Sequence, residues 1–245
     1  MKEARLTLTG NRLIAARCLK MTLEGDVSAF SRSGQFLELA IPGFYLRRPF
    51  SVSSFADGRL EIVYKTVGKG TDAMSRMVPG DSLDALLGLG NGFSAGECRR
   101  AALLLGGGVG TAPLVQLARE LSSAGKEVTA VLGFNEKSET ILVEELEASG
   151  AKVLISTLDG SEGTKGMVTD VLKQHSPSFD YWYACGPKPM LKALCSALDT
   201  PGELSLEERM GCGFGICYGC SVQTASGPRR VCKDGPVFKK EELIW

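Results

Sequence analysis

Four cysteines in the last part of the chain carry the sharpest chemical signal: Cys212, Cys217, Cys220 and Cys232. Their spacing is C-x4-C-x2-C, then eleven residues, then C. The first three follow the plant-type arrangement of thiolates that holds a [2Fe–2S] cluster. The loop Gly213-Phe214-Gly215-Ile216 contains two glycines, which allow backbone amides to turn toward cluster sulfurs. Gly211 and Gly219 are expected to relieve crowding beside the ligands. Four thiolates also suit a structural zinc, but such sites usually come as two C-x2–4-C pairs, and Cys232 has no near partner. The final gap is shorter than in stand-alone [2Fe–2S] proteins, which points to a small appended module.

Two glycine-containing turns suit a nucleotide. Gly106-Gly107-Gly108-Val109-Gly110-Thr111-Ala112-Pro113 follows an apolar run and opens a helical pattern. Glycines there let a pyrophosphate approach the backbone, and a helix N-terminus favours its charge. Pro113 suits a first helical turn, where no amide donor is missed. The full G-x-G-x-x-G fingerprint is absent, so an ordinary tight turn is the alternative. Cys185-Gly186-Pro187 closes a later strand at the carboxyl edge of the same sheet, where ligands bind. Cys185 on its own reads as a buried core thiol.

The first half holds a third constellation. Arg48-Pro49-Phe50-Ser51 begins a strand, and Val63-Tyr64-Lys65 ends another. Gly68-Lys69-Gly70-Thr71 then opens a helix containing Ala73, Met74 and Met77. An arginine, a glycine turn and a helix N-terminus suit an anionic cofactor pyrophosphate, and Tyr64 can stack on a planar ring. Each piece is weak alone, and R-P-F-S by itself reads as a surface strand.

The elements that must position these residues change texture twice. Residues 1–97 read as short strands between turn signals, such as 35–41 before Pro42-Gly43 and 60–65 after Asp57-Gly58. Leu60, Ile62 and Tyr64 share one face, and the pattern predicts a small antiparallel barrel. Residues 98–200 alternate strand and helix. Apolar strands at 101–105, 128–132, 153–155 and 181–184 are separated by helical patterns through Leu114, Leu117 and Leu121, and through Leu142 and Leu146. Strands apolar on both faces imply a doubly wound parallel sheet. Residues 201–245 form the cysteine module. The fold class is therefore α/β plus all-β, with three units.

Composition excludes several classes. The 245 residues carry 28 Lys+Arg and 28 Asp+Glu, a balance that argues against a general nucleic-acid binder. Residues 101–118 lack charge, but four glycines, a proline and a glutamine argue against a membrane span. The start alternates Leu6-Thr7-Leu8-Thr9 with no apolar signal region, so a cytoplasmic, reducing compartment is expected. There the eight cysteines read as ligands or free thiols. Glycine is also in excess, 30 residues against a typical share of about 7%.

Taken in order, R-P-F-S, V-Y-K, G-K-G-T, G-G-G-V-G-T-A-P and C-G-P resemble the ferredoxin–NADP⁺ reductase superfamily. That resemblance implies an FAD-binding barrel followed by a nicotinamide-binding α/β domain. The tail Glu208-Arg209-Met210-Gly211-Cys212-Gly213-Phe214-Gly215-Ile216-Cys217, with Val231-Cys232-Lys233-Asp234-Gly235-Pro236, narrows it. It looks like the electron transfer subunits of two-component, NAD-linked dihydroorotate dehydrogenases. By resemblance, Arg48, Pro49, Phe50 and Ser51 hold the flavin ring and its adjacent phosphate. Val63, Tyr64 and Lys65 flank the isoalloxazine and ribityl chain, and Gly70 and Thr71 bind the FAD pyrophosphate. Gly107, Gly108, Gly110 and Thr111 receive NAD(H), with Cys185, Gly186 and Pro187 near the nicotinamide. The four cysteines are the cluster ligands.

The resemblance also implies a partner, an FMN-containing catalytic subunit that oxidises dihydroorotate, in a heterotetramer of two copies of each chain. Electrons would pass through cluster and FAD to NAD⁺, and no catalytic acid or base is assigned. The rival readings are another NAD(P)H-dependent electron transfer subunit, of sulfide dehydrogenase or ferredoxin:NADP⁺ oxidoreductase type, and a zinc-containing binding module. Glu136 and Glu139 after the second sheet strand favour NADH over NADPH, with Lys137 and Ser138 pulling the other way. The single histidine, His175, reads as a helix C-terminal residue. Phe214, Ile216 and Tyr218 beside the ligands read as local packing or as a docking surface.

Overall fold

A computed structural model describes residues 1–245. The first unit is a closed antiparallel barrel of six strands. They are β1 (Lys2–Ala15), β2 (Cys18–Glu24), β3 (Phe36–Leu39), β4 (Arg48–Ala56), β5 (Arg59–Lys65) and β6 (Ser82–Leu89), in the order β1-β2-β5-β4-β3-β6. Helix α1 (Lys69–Ser75) lies between β5 and β6. Period-two alternation fills the interior: Leu6 and Leu8 are buried while Thr7 is exposed. In β5 the two faces serve two cores. Leu60, Ile62 and Tyr64 join the barrel core, whereas Val63 packs into the core of the second unit.

The second unit is a seven-stranded sheet in the order β10-β9-β8-β7-β11-β12-β15. Its strands are β7 (Ala101–Gly107), β8 (Glu127–Phe134), β9 (Lys152–Thr157), β10 (Thr164–Lys165), β11 (Tyr181–Cys185), β12 (Gly202–Ser205) and β15 (Val237–Lys239). Helices α2 (Ala112–Ser123) and α3 (Val143–Ala148) cover one face, and α4 (Val168–His175) and α5 (Lys188–Ala197) the other. Successive residues of β7 divide accordingly: Ala102 and Leu104 face α2, Leu103 and Leu105 face α4 and α5. Leu142 stands before α3 in a left-handed conformation (φ 61°), not within it. His175 is the last residue of α4 and is exposed.

The sheet is not wholly parallel. Strand β15, from beyond the fourth cysteine, pairs antiparallel with β12, setting Leu204 opposite Phe238. The sheet thus runs past residue 200 into the cysteine module. The rest of that module is a hairpin of β13 (Ser221–Thr224) and β14 (Gly227–Arg230), followed by α6 (Val231–Asp234). Asn91 ties it to the barrel: its main-chain N–H donates to Gly235 O at 2.8 Å, and its side chain donates to Val237 O at 2.8 Å and accepts from Val237 N at 3.1 Å.

Barrel and sheet also join through polar pairs. Lys20 on β2 is only 7% exposed; its ammonium lies 2.7 Å from Glu145 on α3 and 3.6 Å from Glu61 on β5. Ser33 Oγ donates to Glu120 on α2 at 2.9 Å.

Strand order reverses between β7 and β11, the switch point where open α/β sheets bind ligands. The two turns leaving these strands touch. A Cβ on Gly110 would lie 2.5 Å from Cys185 O, and one on Gly107 2.7 Å from Pro187 Cδ. Gly108 faces open space at φ 54°. These glycines therefore serve different ends: Gly107 and Gly110 let the turns close on each other, and only Gly108 is open to a ligand. Gly110→Ala presses on strand-end backbone that cannot give way and should cost about 3 kcal/mol, the upper range for overpacking. Gly108→Ala meets only left-handed strain, about 1 kcal/mol. Thermal unfolding without nucleotide checks this, and equal losses would remove the packing explanation.

Candidate functional site

A cleft of about 430 Å³ opens where the three units meet. One wall is β4 from Arg48 to Ser51 with the end of β5 from Val63 to Lys65; Thr71 of α1 lies at its edge. The nucleotide-type turn contributes Val109 and Ala112, and the approach to the first cysteine contributes residues 205–208 and Met210. The R-P-F-S and V-Y-K motifs, distant in sequence, thus line one space. They face the other two units across it.

Each wall residue is held by its neighbours. Tyr64 Oη donates to Asn11 Oδ1 at 3.0 Å, and Asn11 in turn donates to the carbonyls of Met74 in α1 (2.9 Å) and of Met77 (3.2 Å), which stands just past the end of the helix and not within it as expected. Burial pushes the Tyr64 phenol up to about 12. Phe50 meets Tyr64 edge-on, ring centroids 5.9 Å apart. Arg48 donates to Leu46 O at 2.6 Å, lies over the Phe44 ring at 5.4 Å and has no carboxylate partner. Its charge is left for an anion. Gly70 does not line the cleft, but a Cβ there would stand 3.1 Å from Arg48 Nε, so its bareness admits the guanidinium. Thr71 Oγ1 is committed to its own helix, accepting from Val67 N (3.0 Å) and Gly68 N (3.2 Å). Apolar ring faces beside an unpaired arginine fit a flavin with its phosphates.

Other expected contacts are placed differently. Lys65 Nζ reaches across to Glu139 at 2.7 Å, and Asn135 donates to the same carboxylate at 2.7 Å. The Lys65 hydrogen bond holds Glu139 below the usual carboxylate range. Glu139 is therefore engaged by the barrel, whereas Glu136 is exposed and hydrogen-bonded only by Ser138. Thr111 and Cys185 offer no side-chain surface to a nucleotide, because both side chains are fully buried. Thr111 Oγ1 has no hydrogen-bond partner. Burial pushes the Cys185 thiol up, against a hydrogen bond from Ser205. At the turn surface stand Gly108, Val109 and the exposed Pro187.

The cysteine loop is built around its sulfurs. Gly213 (φ 73°), Gly215 (φ 93°) and Tyr218 (φ 59°) are left-handed. This curls the chain so that the amides of Ile216 (3.3 Å) and Cys217 (3.5 Å) donate to Cys212 Sγ, and Cys232 N donates to Cys220 Sγ at 3.4 Å. Burial pushes the Cys212 thiol up, but the amides of Cys217, Phe214 and Ile216 outweigh it and bring the thiol down to about 6. Such a site favours thiolate, the form that binds metal. All eight cysteines are free thiols. Gly211 and Gly219 were expected to relieve crowding, yet a Cβ on either would make only ordinary contact with Cys217 Sγ, at 3.4 and 3.6 Å. The glycines that closeness demands are Gly213, against Glu38 (2.3 Å), and Gly215, against Lys233 (2.5 Å).

Glu38 escaped the sequence reading. It alternates with the interior residues Leu37 and Leu39, so the period of two assigns it to solvent, yet it is 1% exposed because the cysteine loop covers it. Its Oε1 has no partner. Burial pushes its carboxyl up to about 7, the charge of Cys212 adds to this, and Arg47 opposes it. The folded state therefore binds a proton more tightly than the unfolded chain. Stability from this group is full below the unfolded value and falls as pH rises to about 7. Glu38→Gln should raise the melting temperature over the parent at pH 8 and leave it unchanged at pH 5; an equal gain at both would sink this account.

Comparison with known proteins adds the family. Residues 207–244 match the iron-sulfur cluster binding domain of dihydroorotate dehydrogenase B, and residues 104–196 match the oxidoreductase NAD-binding domain. Over 99% of its length the chain is 42% identical to a dihydroorotate dehydrogenase B (NAD(+)) electron transfer subunit of Bacillus pumilus, covering 98% of that protein. It is 39% identical to the corresponding subunit of Fusobacterium nucleatum, over 99% of each chain. Among solved structures, one described as an NADH-dependent reduced ferredoxin-NADP oxidoreductase matches 99% of this chain and 90% of its own, with a TM-score of 0.90 and 33% identity. A Neisseria gonorrhoeae ferredoxin NADP⁺ reductase, at 17% identity and a TM-score of 0.66, shares the fold. With 42% identity held over essentially the whole chain, and with its last residues matching the cluster-binding domain, this chain belongs to the family of dihydroorotate dehydrogenase B (NAD⁺) electron transfer subunits.

Proposed function

We propose that this chain carries electrons between a dihydroorotate-oxidising partner subunit and NAD⁺. The observation that carries the reading is the shared cleft, in which the flavin-type wall, the nucleotide-type turn and Met210, two residues before Cys212, face one another. A flavin bound there exchanges hydride with nicotinamide and single electrons with an iron–sulfur cluster, so it belongs between the two. Arg48 would take its phosphate charge, and Phe50 and Tyr64 would flank its ring. Cys212, Cys217, Cys220 and Cys232 would hold the [2Fe–2S] cluster. Gly108, Val109 and Pro187 would meet NAD(H), and Glu136 supports a preference for NADH. No residue of this chain is required as a general acid or base.

Residues 1–97, 98–200 and 201–245 would act as flavin, nucleotide and cluster units, although the third lends β12 and β15 to the sheet of the second. Phe214, Ile216 and Tyr218, 37%, 71% and 65% exposed beside the ligands, would form the docking face for the FMN-containing catalytic subunit. Exposed aromatic and aliphatic side chains around a ligand loop suit a protein partner better than local packing. A heterotetramer with two copies of each chain, in the cytoplasm, is the expected assembly. No helix is long and apolar enough to cross a membrane.

The purified chain should show flavin and [2Fe–2S] absorption, and with its catalytic partner should reduce NAD⁺ at the expense of dihydroorotate. Cys217→Ser should lose the cluster bands, keep the flavin and lower coupled turnover at least a hundredfold. A normal cluster in that variant, or no NAD⁺ reduction by the parent complex, would overturn the reading.

A further inference from the structure

Arg230 has a part that no motif marked. It is the last residue of β14, directly before the helix that carries Cys232. Its side chain, 21% exposed, reaches all three pieces of the thiolate cage. Nη1 donates to the carbonyl of Gly215, inside the C-x4-C loop, at 2.8 Å. The guanidinium carbon lies 4.8 Å from the ring centroid of Tyr218, in the C-x2-C turn. Nε donates to Asp234 Oδ2 at 3.1 Å and Nη2 to Oδ1 at 3.4 Å, on the helix of Cys232, while the Arg230 main-chain N–H donates to Oδ2 at 2.8 Å.

The backbone it holds needs holding. Gly215 and Tyr218 are both left-handed, and for Tyr218, a residue with a Cβ, that conformation is unfavourable in isolation. The amide that points at Cys212 Sγ from Ile216 follows directly on the Gly215 carbonyl that Arg230 grips, so the two belong to one peptide plane. Fixing the carbonyl fixes the direction of the donor. A planar fork that both hydrogen-bonds and lies on an aromatic face is specific to arginine; lysine keeps the charge and loses the geometry.

We propose that Arg230 is a positioning residue of the cluster site, clamping the Gly215–Ile216 peptide and the Tyr218 turn against the Cys232 helix. The proposal rests on the four cysteines being the cluster ligands. Through the clamp it orients an amide toward Cys212, and it adds one positive charge beside the cage. These two effects separate in two variants. Arg230→Lys keeps the charge without the fork, and Arg230→Gln loses both.

The test uses the purified full-length holoprotein, with bound FAD as the measure of correct folding. Both variants should keep FAD, show a reduced-cluster electron paramagnetic resonance signal altered from the parent, and lose cluster in air about three- to tenfold faster. Arg230→Gln alone should shift the cluster midpoint potential clearly downward, since a positive charge is gone. Replacing Tyr218 by Gly, which accepts the left-handed turn, should slow cluster loss in the Arg230→Gln background. Parent-like resonance and parent-like cluster loss in both variants would overturn the proposal, and so would failure of the Tyr218→Gly rescue. A parent chain without any [2Fe–2S] signal would instead overturn the family reading of the cysteines.

Discussion

The antiparallel pairing of β15 with β12 is the interaction on which the rest of the molecule depends. Electrons pass only between groups in close approach, so a flavin wall, a nucleotide turn and a thiolate loop must share one seam. Three separately folded units on flexible linkers would not hold that seam. Here the chain beyond the last cysteine returns to the sheet edge and completes it, with Leu204 opposite Phe238. Asn91, in the connection leaving the barrel, fastens the same segment by three hydrogen bonds to backbone groups of Gly235 and Val237. Cys220 and Cys232 are then buried in one apolar cluster with Phe36 and Leu86 of the barrel and Trp182 of the sheet. The cage is a product of all three units.

Within that frame the thiolate loop is shaped by backbone more than by side chains. Left-handed residues at 213, 215 and 218 turn amides inward, and amides lower the free energy of thiolate over thiol. Such a loop has little stability of its own. Glu38 fills the space under Gly213, Lys233 the space under Gly215, and Arg230 grips the outside. Charges of both signs flank the loop at short range, where neighbouring charge and hydrogen bonds adjust a cluster's potential.

Polar pairs divide the work between barrel and sheet. Lys20–Glu145 and Lys65–Glu139 lock the nucleotide unit against the flavin unit. A consequence is that one residue can satisfy a motif and still be spent elsewhere: Lys65 stands in the flavin wall, but its ammonium is committed to the turn after β8. The close contact of the two turns at the switch point has the same character. It uses up Gly107, Gly110 and the Cys185 carbonyl in packing and leaves Gly108, Val109 and Pro187 at the surface of the two turns.

Much of this was legible in the residues. The period of two in β1 and β5, the doubly apolar strands β7, β8 and β11, and the order of motifs along the chain point to barrel, sheet and cage, because each is a local pattern or a local spacing. The C-x4-C-x2-C run with its glycines needs no partner to be read. Tertiary structure decided what depends on distant coverage. Glu38 has the pattern of a solvent face and is buried by a loop some 170 residues later. Cys185 and Thr111 sit in nucleotide-type turns but point into the core. Glu139 looked free for a ribose and is held by a lysine of another unit. β15 has no signal as a sheet strand until β12 offers it an edge. Sequence determines which chemistry each segment can perform, since backbone propensity and donor type are local. Which side chains remain free to perform it is settled only when the units cover one another.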